Sequence, residues 1–153
     1  MNYAPEPILH LTALILGKDE SRIWLKENNF PELILVHYAI DGRDEALAEL
    51  TRRKDVDLTA FVHAVQDDKR AYNYLAENKK FIWAATVRVT YKDPNAEAWL
   101  LRNNLPHFVQ LGRAIRKNEE DEAADDIFGL MRKIMRFIVG NRGNKGNRGV
   151  PYS

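Results

Sequence analysis

Apolar residues recur along this chain at the spacing of one face of an α-helix, and the pattern repeats every 25 residues. Positions 25 residues apart are called a column here. One column holds only leucine, and a small residue stands four positions before each member: Leu25, Leu50, Leu75 and Leu100 after Ser21, Ala46, Ala71 and Ala96. Within a repeat, apolar positions lie three and four residues apart, which is typical of helices. The pattern predicts repeated pairs of short helices.

Five repeats can be placed in this register, near residues 6–30, 31–55, 56–80, 81–105 and 106–139. Together they predict a single domain, 1–139, of the all-α class: a right-handed α-α superhelix (solenoid) of short helix pairs. A capping helix is expected from about Glu120 to Val139. Residues 140–153 are rich in glycine and asparagine with basic residues between them, so they predict a flexible tail.

Turn signals separate the expected helices. The stretches WLKENNFPELI, from Trp24, and WLLRNNLPHFV, from Trp99, are nearly the same. They predict a helix end, a tight turn and a new helix with proline in its first turn. At the other joints, Gly17 and Gly42 are typical of helix C-termini. Aspartate is the expected N-cap there, at Asp19, Asp44, Asp68 and Asp93.

Residues 81–91, FIWAATVRVTY, give conflicting signals. Their β-branched and aromatic side chains favour a strand by propensity alone. Their position in the repeat favours a helix. We predict a helix here, with a strand as the alternative.

One family resemblance is carried by residues 9–29, LHLTALILGKDESRIWLKENN. The leucine-histidine-leucine opening, the glycine between two helices and the polar turn after the second resemble an ankyrin repeat. Through the repeat, the resemblance extends over about residues 6–118. Ankyrin units run about 33 residues and include a β-turn finger, for which 25 residues leave no room. The resemblance therefore implies an ankyrin-like solenoid without fingers.

The composition is that of a globular protein, with 45% apolar and 29% charged residues in a chain of 153. Residues 1–76 hold 9 Lys and Arg against 13 Asp and Glu, and residues 77–153 hold 14 against 9, so one half is acidic and the other basic. The absence of cysteine excludes disulfide and thiolate chemistry and favours the cytoplasm. The most apolar run, residues 8–17, is too short to span a membrane, and no secretory signal is expected.

No arrangement of side chains indicates catalysis, a cofactor or a metal. The four histidines, His10, His37, His63 and His107, lack a second ligand at metal-binding spacing. Residues 41–45, DGRDE, lack the alternating acidic positions of a calcium loop. We predict that the chain is not an enzyme.

A candidate binding face comes from one column of the first helices. Its members are Tyr38, His63, Arg88 and Arg113, and Tyr91 and Arg116 follow three residues after the last two. Tyrosine and arginine are enriched at binding hot spots, so this face predicts a protein partner, with an ordinary solvated helix face as the alternative. Trp24, Tyr74 and Trp99 form a neighbouring column that predicts packing between helices.

A nucleic-acid partner is the alternative function. It would use the basic second half of the chain, with the tail and Arg88, Lys92, Arg102, Arg113, Arg116 and Lys117. The acidic run at 119–126 interrupts that patch. A homodimer through the N-terminal end is a further hypothesis, because Leu9 and Leu16 would lie exposed there unless residues 3–7 fold over them.

Overall fold

The computed structural model describes residues 3–120, and this part of the chain is all-helical, with no strand. Eight helices have both ends within it: α1 (Pro5–Ile15), α2 (Glu20–Glu27), α3 (Pro31–Ile40), α4 (Asp44–Arg52), α5 (Val56–Val65), α6 (Lys69–Glu77), α7 (Phe81–Thr90) and α8 (Pro94–Arg102). A ninth, α9, begins at Pro106 and reaches the last described residue, Glu120. The all-α prediction is confirmed.

Helix α7 covers nearly all of the segment for which propensity favoured a strand. Most of its residues are buried, including Trp83, Thr86 and Val89. β-Branched residues cost a helix only a few tenths of a kcal/mol each, whereas burying a large apolar side chain contributes about 1.5–3 kcal/mol. Packing therefore decides this segment, and the helix prediction is confirmed.

The helices stack in pairs. Each first helix packs against its own second helix, α1 with α2, α3 with α4, α5 with α6 and α7 with α8. The first helices also pack on one another in series, and each second helix packs against the next first helix. Among α1 to α8, second helices do not pack against one another, and no helix packs beyond the neighbouring unit. Packing of helices between nearest neighbours only is the property that defines a solenoid, and within residues 3–120 the one ring contact beyond a neighbouring unit comes from Tyr3, which precedes α1.

The predicted apolar columns form the core. The leucine column, Leu25, Leu50, Leu75 and Leu100, is completely buried. Aromatic side chains continue the core through the later units, where the Trp83 ring centroid lies 4.8 Å from that of Phe61 and 5.4 Å from that of Phe108. Pairs at this distance stabilise a core beyond the area that they bury.

Every joint between α1 and α9 ends its helix in the same way. A residue with positive φ follows each helix, and an N–H donates to a carbonyl five residues earlier, as in Phe30 to Leu25 at 2.8 Å and Leu105 to Leu100 at 2.9 Å. This is the Schellman arrangement. The positive-φ residues are Gly17, Asn29, Gly42, Lys54, Asp67, Lys79, Lys92 and Asn104. The repeated asparagine-containing turns are thus helix-ending turns, as predicted.

The N-cap prediction is half right. The Asp68 carboxylate accepts the N–H groups of Arg70 and Ala71, and that of Asp93 accepts the N–H of Asn95. Asp44 is not an N-cap but the first residue of its helix, so that prediction is wrong. The residue that shares a column with Asp68 and Asp93 is Arg43, which holds the N-cap position of α4. Asp19 occupies the N-cap of α2, but its carboxylate accepts no N–H group.

The chain divides into two compact units, Met1–Arg116 and Lys117–Ser153. The predicted capping helix at about 120–139 and the tail at 140–153 lie outside the described residues, apart from Glu120. Within residues 3–120, no helix has the length and apolar character needed to cross a membrane.

Candidate binding surface

A cleft of about 510 Å³, the first groove, opens over helix α5. Its floor is α5, and its walls are the end of α4 and the start of α6. The lining residues are Thr51, Lys54, Asp55, Val56, Thr59, Ala60, His63, Asp68, Arg70, Ala71 and Tyr74.

A second cleft of about 550 Å³, the second groove, opens one repeat further along, over helix α7. Its walls are α6 and α8, so the two grooves share α6. The lining residues are Tyr72, Ala76, Phe81, Ala84, Ala85, Arg88, Asn95, Ala96, Trp99 and Arg102.

The two grooves are the same feature repeated. Eight pairs of lining residues stand in the same columns: Thr51 and Ala76, Val56 and Phe81, Thr59 and Ala84, Ala60 and Ala85, His63 and Arg88, Arg70 and Asn95, Ala71 and Ala96, and Tyr74 and Trp99. Since second helices do not pack against one another, a gap exists between them wherever the first helix beneath has only small side chains.

Small side chains in the floor open the grooves. The floor columns hold Thr59 and Ala60 in α5, and Ala84 and Ala85 in α7. In α3 the same two columns hold isoleucine and leucine, residues 34 and 35, which pack partly buried against the core. In α1 the second column holds a histidine, residue 10, whose ring stacks on Trp24 at 4.1 Å. Both grooves therefore lie where the floor changes from large to small residues.

Aromatic side chains form one side of each groove. Tyr74 and Trp99 are partly buried against the core, as the sequence predicted for this column, and each also lines a groove. The Tyr74 hydroxyl donates to an Asp57 carboxylate oxygen at 3.3 Å. Burial and that carboxylate raise the pKa of Tyr74, so the hydroxyl stays a donor at neutral pH.

Exposed apolar side chains cluster at the groove mouths. Val56 and Phe81, which share a column, are 54% and 51% exposed. A smaller cavity of about 290 Å³ is lined by Asp68 of the first groove and by Tyr72 and Arg88 of the second. The two grooves thus belong to one continuous surface across α6.

Two members of the predicted binding face line the grooves, and two make contacts within the chain. His63 lies in the first groove and Arg88 in the second. The Tyr38 hydroxyl accepts a hydrogen bond from Arg22 at 2.9 Å, and the Arg43 guanidinium lies 4.4 Å from the Tyr38 ring centroid.

Arg113 binds the Glu97 carboxylate through two N–H groups, at 3.0 and 2.7 Å. That contact lowers the pKa of Glu97. Arg88 is ion-paired with Asp93, the N-cap of α8. Two of the basic residues proposed for nucleic-acid binding are therefore already paired with carboxylates.

Tyr91 and Arg116 connect neighbouring units. The Tyr91 hydroxyl lies 2.9 Å from the Ala64 carbonyl and 3.2 Å from the Val65 carbonyl. Arg116 donates to the Val89 carbonyl at 3.3 Å. Gln66 stands in the same column and donates to the Ala39 carbonyl at 3.1 Å. Each side chain thus reaches the end of the preceding first helix, where the carbonyls of Ala39, Ala64 and Val89 also accept an N–H of the following turn.

At the N-terminal end, Tyr3 packs on the rings of Phe30 and Trp83, at centroid distances of 6.0 and 6.1 Å. Its hydroxyl donates to Glu32 at 3.3 Å. Leu9 and Leu16 are 42% and 49% exposed, so residues 3–7 do not cover them.

Among the described residues, no group of histidine and carboxylate side chains is placed to hold a metal ion.

Comparison with known proteins gave no match: no family model matches the sequence, no curated protein matches it, and no solved structure matches the fold. The resemblance to ankyrin repeats stays a prediction.

Sequence reasoning found His63 and Arg88 but missed the small floor residues and Phe81. The change from isoleucine-leucine to threonine-alanine and then alanine-alanine in the floor columns was the signal for them.

Proposed function

We propose that this chain is a non-catalytic protein-interaction module that binds a segment of a partner protein across the two grooves. The observation that carries the proposal is the presence of two open clefts built from the same columns in adjacent units. A partner with apolar side chains at a matching spacing can occupy both clefts at once.

The dimensions suit a peptide segment. Stacked helices lie about 8–10 Å apart, so equivalent points in the two grooves are separated by about that distance. Residues seven apart on a helix are about 10.5 Å apart on one face, and residues three apart in polyproline II are about 9.3 Å apart. Either conformation can place one side chain in each groove.

The chemistry of the grooves suits apolar anchors. Alanine, valine, threonine and aromatic side chains form most of each lining, and charged groups complete it. Burying one large apolar side chain contributes about 1.5–3 kcal/mol before the costs of association. Two anchors contribute about 3–6 kcal/mol before those costs, so micromolar binding, about 8 kcal/mol, also requires further contacts at the groove rims.

The test fills the floor of each groove with leucine, which helix α3 already carries in the same column. A random peptide library displayed on phage is selected on the full chain, and a selected peptide is made with a fluorescent label. Ala60→Leu with Ala85→Leu introduces the side chain that α3 carries at position 35. Fluorescence polarisation should show at least about a tenfold loss of affinity, as expected for losing one anchor.

Ala48→Leu is the matched control, because residue 48 is exposed on α4 and lines neither groove. It should leave the affinity unchanged. Far-ultraviolet circular dichroism checks that both variants fold. If the filled variant binds the peptide as well as the unmodified chain does, the grooves are not the binding surface.

A further inference from the structure

The two grooves share their shape but differ in charge. The first groove is lined by Lys54 and Arg70 together with Asp55 and Asp68, so opposite charges balance. The second groove is lined by two arginines and no carboxylate. The binding segment therefore meets a neutral cleft on one side of α6 and a positively charged cleft on the other.

The two arginines lie at opposite ends of the second groove. Arg88 is in the last turn of α7, and Arg102 is the last residue of α8. Since α8 packs against α7 after a short turn, it runs back toward the start of α7, so Arg102 lies near Phe81. Positions 81 and 88 are about 10 Å apart along the α7 axis, so the two arginines stand at opposite ends of the apolar lining.

Both guanidinium groups can accept a further carboxylate. The Arg88 side chain is paired with Asp93 but is 49% exposed. A guanidinium has five N–H donors, and one carboxylate engages at most two of them. Arg102 is exposed, and no ion pair is recorded for it within residues 3–120.

We propose that the second groove binds an apolar or aromatic side chain flanked on both sides by Asp or Glu, so that the partner is an acidic amphipathic segment. This inference rests on the proposed function and specifies the partner. Charge complementarity at the ends of the cleft sets the preference for acidic flanks, and the apolar lining sets the preference for the anchor.

A single-stranded nucleic acid is the other polyanion that aromatic and arginine side chains bind. The surface favours a peptide. Asp55 and Asp68 line the adjoining groove and Asp93 is paired with Arg88, which places carboxylates along the path that a phosphate backbone would follow. Carboxylates spaced two to four residues apart in a peptide can avoid them.

The test determines the amino-acid sequences of the peptides that are selected on the full chain. Peptides from the unmodified chain should carry Asp or Glu on both sides of an aromatic or large aliphatic residue, well above the library frequency. A labelled peptide of this type should bind Arg88→Glu with Arg102→Glu at least about tenfold more weakly, because attraction becomes repulsion. Its counterpart with Lys in place of each acidic residue should show the reverse preference.

Lys18→Glu with Lys26→Glu is the matched control, since it makes the same charge change at two exposed positions that line neither groove and should alter affinity no more than about threefold. Arg88→Gln with Arg102→Gln provides a milder version should the double reversal fail to fold. It should still weaken binding of the acidic peptide without attracting the basic one.

The outcomes separate the two proposals. Selected peptides that compete for the grooves but carry neutral or basic flanks would overturn the inference and leave the proposed function standing. If no peptide is enriched over an empty surface, the proposed function fails and the inference fails with it. If low-salt gel shifts show single-stranded nucleic acid binding that Arg88→Glu with Arg102→Glu abolishes, while no peptide is enriched, the groove binds phosphate instead.

Discussion

Removing the Tyr91 hydroxyl distinguishes a structural role of this residue from a role in binding. The sequence pattern placed Tyr91 on the predicted binding face. The hydroxyl lies 2.9 and 3.2 Å from two carbonyls at the end of helix α5. Tyr91→Phe removes that donor and keeps the ring. The change therefore tests the hydrogen bond between units.

The magnitude follows from the geometry. One buried hydrogen bond contributes about 0.5–1.5 kcal/mol net. Because the Tyr91 side chain is 51% exposed, water can reach the freed carbonyls, and we expect the lower half of that range, about 0.5–1 kcal/mol. For a chain of this size the denaturant slope in urea is about 2 kcal/mol/M, so the unfolding midpoint should fall by about 0.3–0.5 M.

Urea unfolding followed by circular dichroism measures the midpoint and the slope together. Tyr72→Phe is the control, since that ring also lines the second groove but no hydrogen bond is recorded for its hydroxyl within residues 3–120. Its midpoint should stay within about 0.25 M of the unmodified chain, since a surface change is usually worth at most about 0.5 kcal/mol. The reasoning is refuted if Tyr91→Phe leaves the midpoint unchanged while it abolishes peptide binding, because Tyr91 would then act on the partner.

Three further predictions concern other parts of the chain. Gly112→Ala should lower the unfolding free energy by about 1–3 kcal/mol in thermal unfolding, although alanine favours helices, because the new methyl would lie 2.6 Å from a Val89 methyl; an unchanged melting temperature would contradict this. Burial lowers the pKa of His107, so stability should be full above about pH 6.5 and fall as the pH drops below it; urea midpoints measured from pH 7.5 to 5.5 should show this slope, and His107→Leu should flatten it. If the chain self-associates through its exposed N-terminal leucines, Leu9→Glu with Leu16→Glu should give a folded monomer in sedimentation; a chain that is already monomeric at micromolar concentration would exclude the idea.

The fold could be read from the sequence because the core columns are nearly uniform. Leucine occurs at 25, 50, 75 and 100, and each is completely buried. A pattern that recurs four times fixes helix positions better than local propensity does, as α7 demonstrates. The N-cap of α4 was misplaced by one residue because aspartate was matched by type, whereas the turn geometry assigns the cap to Arg43 by position.

The candidate binding surface could be read from the sequence only in part, because open space between helices is not a property of any single residue. The column of His63 and Arg88 was found by its polar character. Their neighbours at the floor, Ala60 and Ala85, have the sequence signature of ordinary core alanines. Only the absence of contact between second helices turns those alanines into the bottom of a cleft. Tyr91 shows a second property that the sequence does not reveal, since its ring is exposed while its hydroxyl donates to the Ala64 carbonyl.

The small floor residues also carry a thermodynamic argument for a binding surface. Helix α3 holds leucine, residue 35, in the column that holds Ala60 and Ala85 in the next two units, and that leucine packs partly buried against the core. A half-buried leucine contributes about 1 kcal/mol more than alanine, so the open grooves leave about 2 kcal/mol of available stability unused. Ala60→Leu with Ala85→Leu should therefore raise the melting temperature by about 4–8 °C while it removes peptide binding. A lower melting temperature would show that the clefts lack room for leucine, and this argument would then fail. A higher melting temperature with peptide binding intact would show that the partner binds elsewhere.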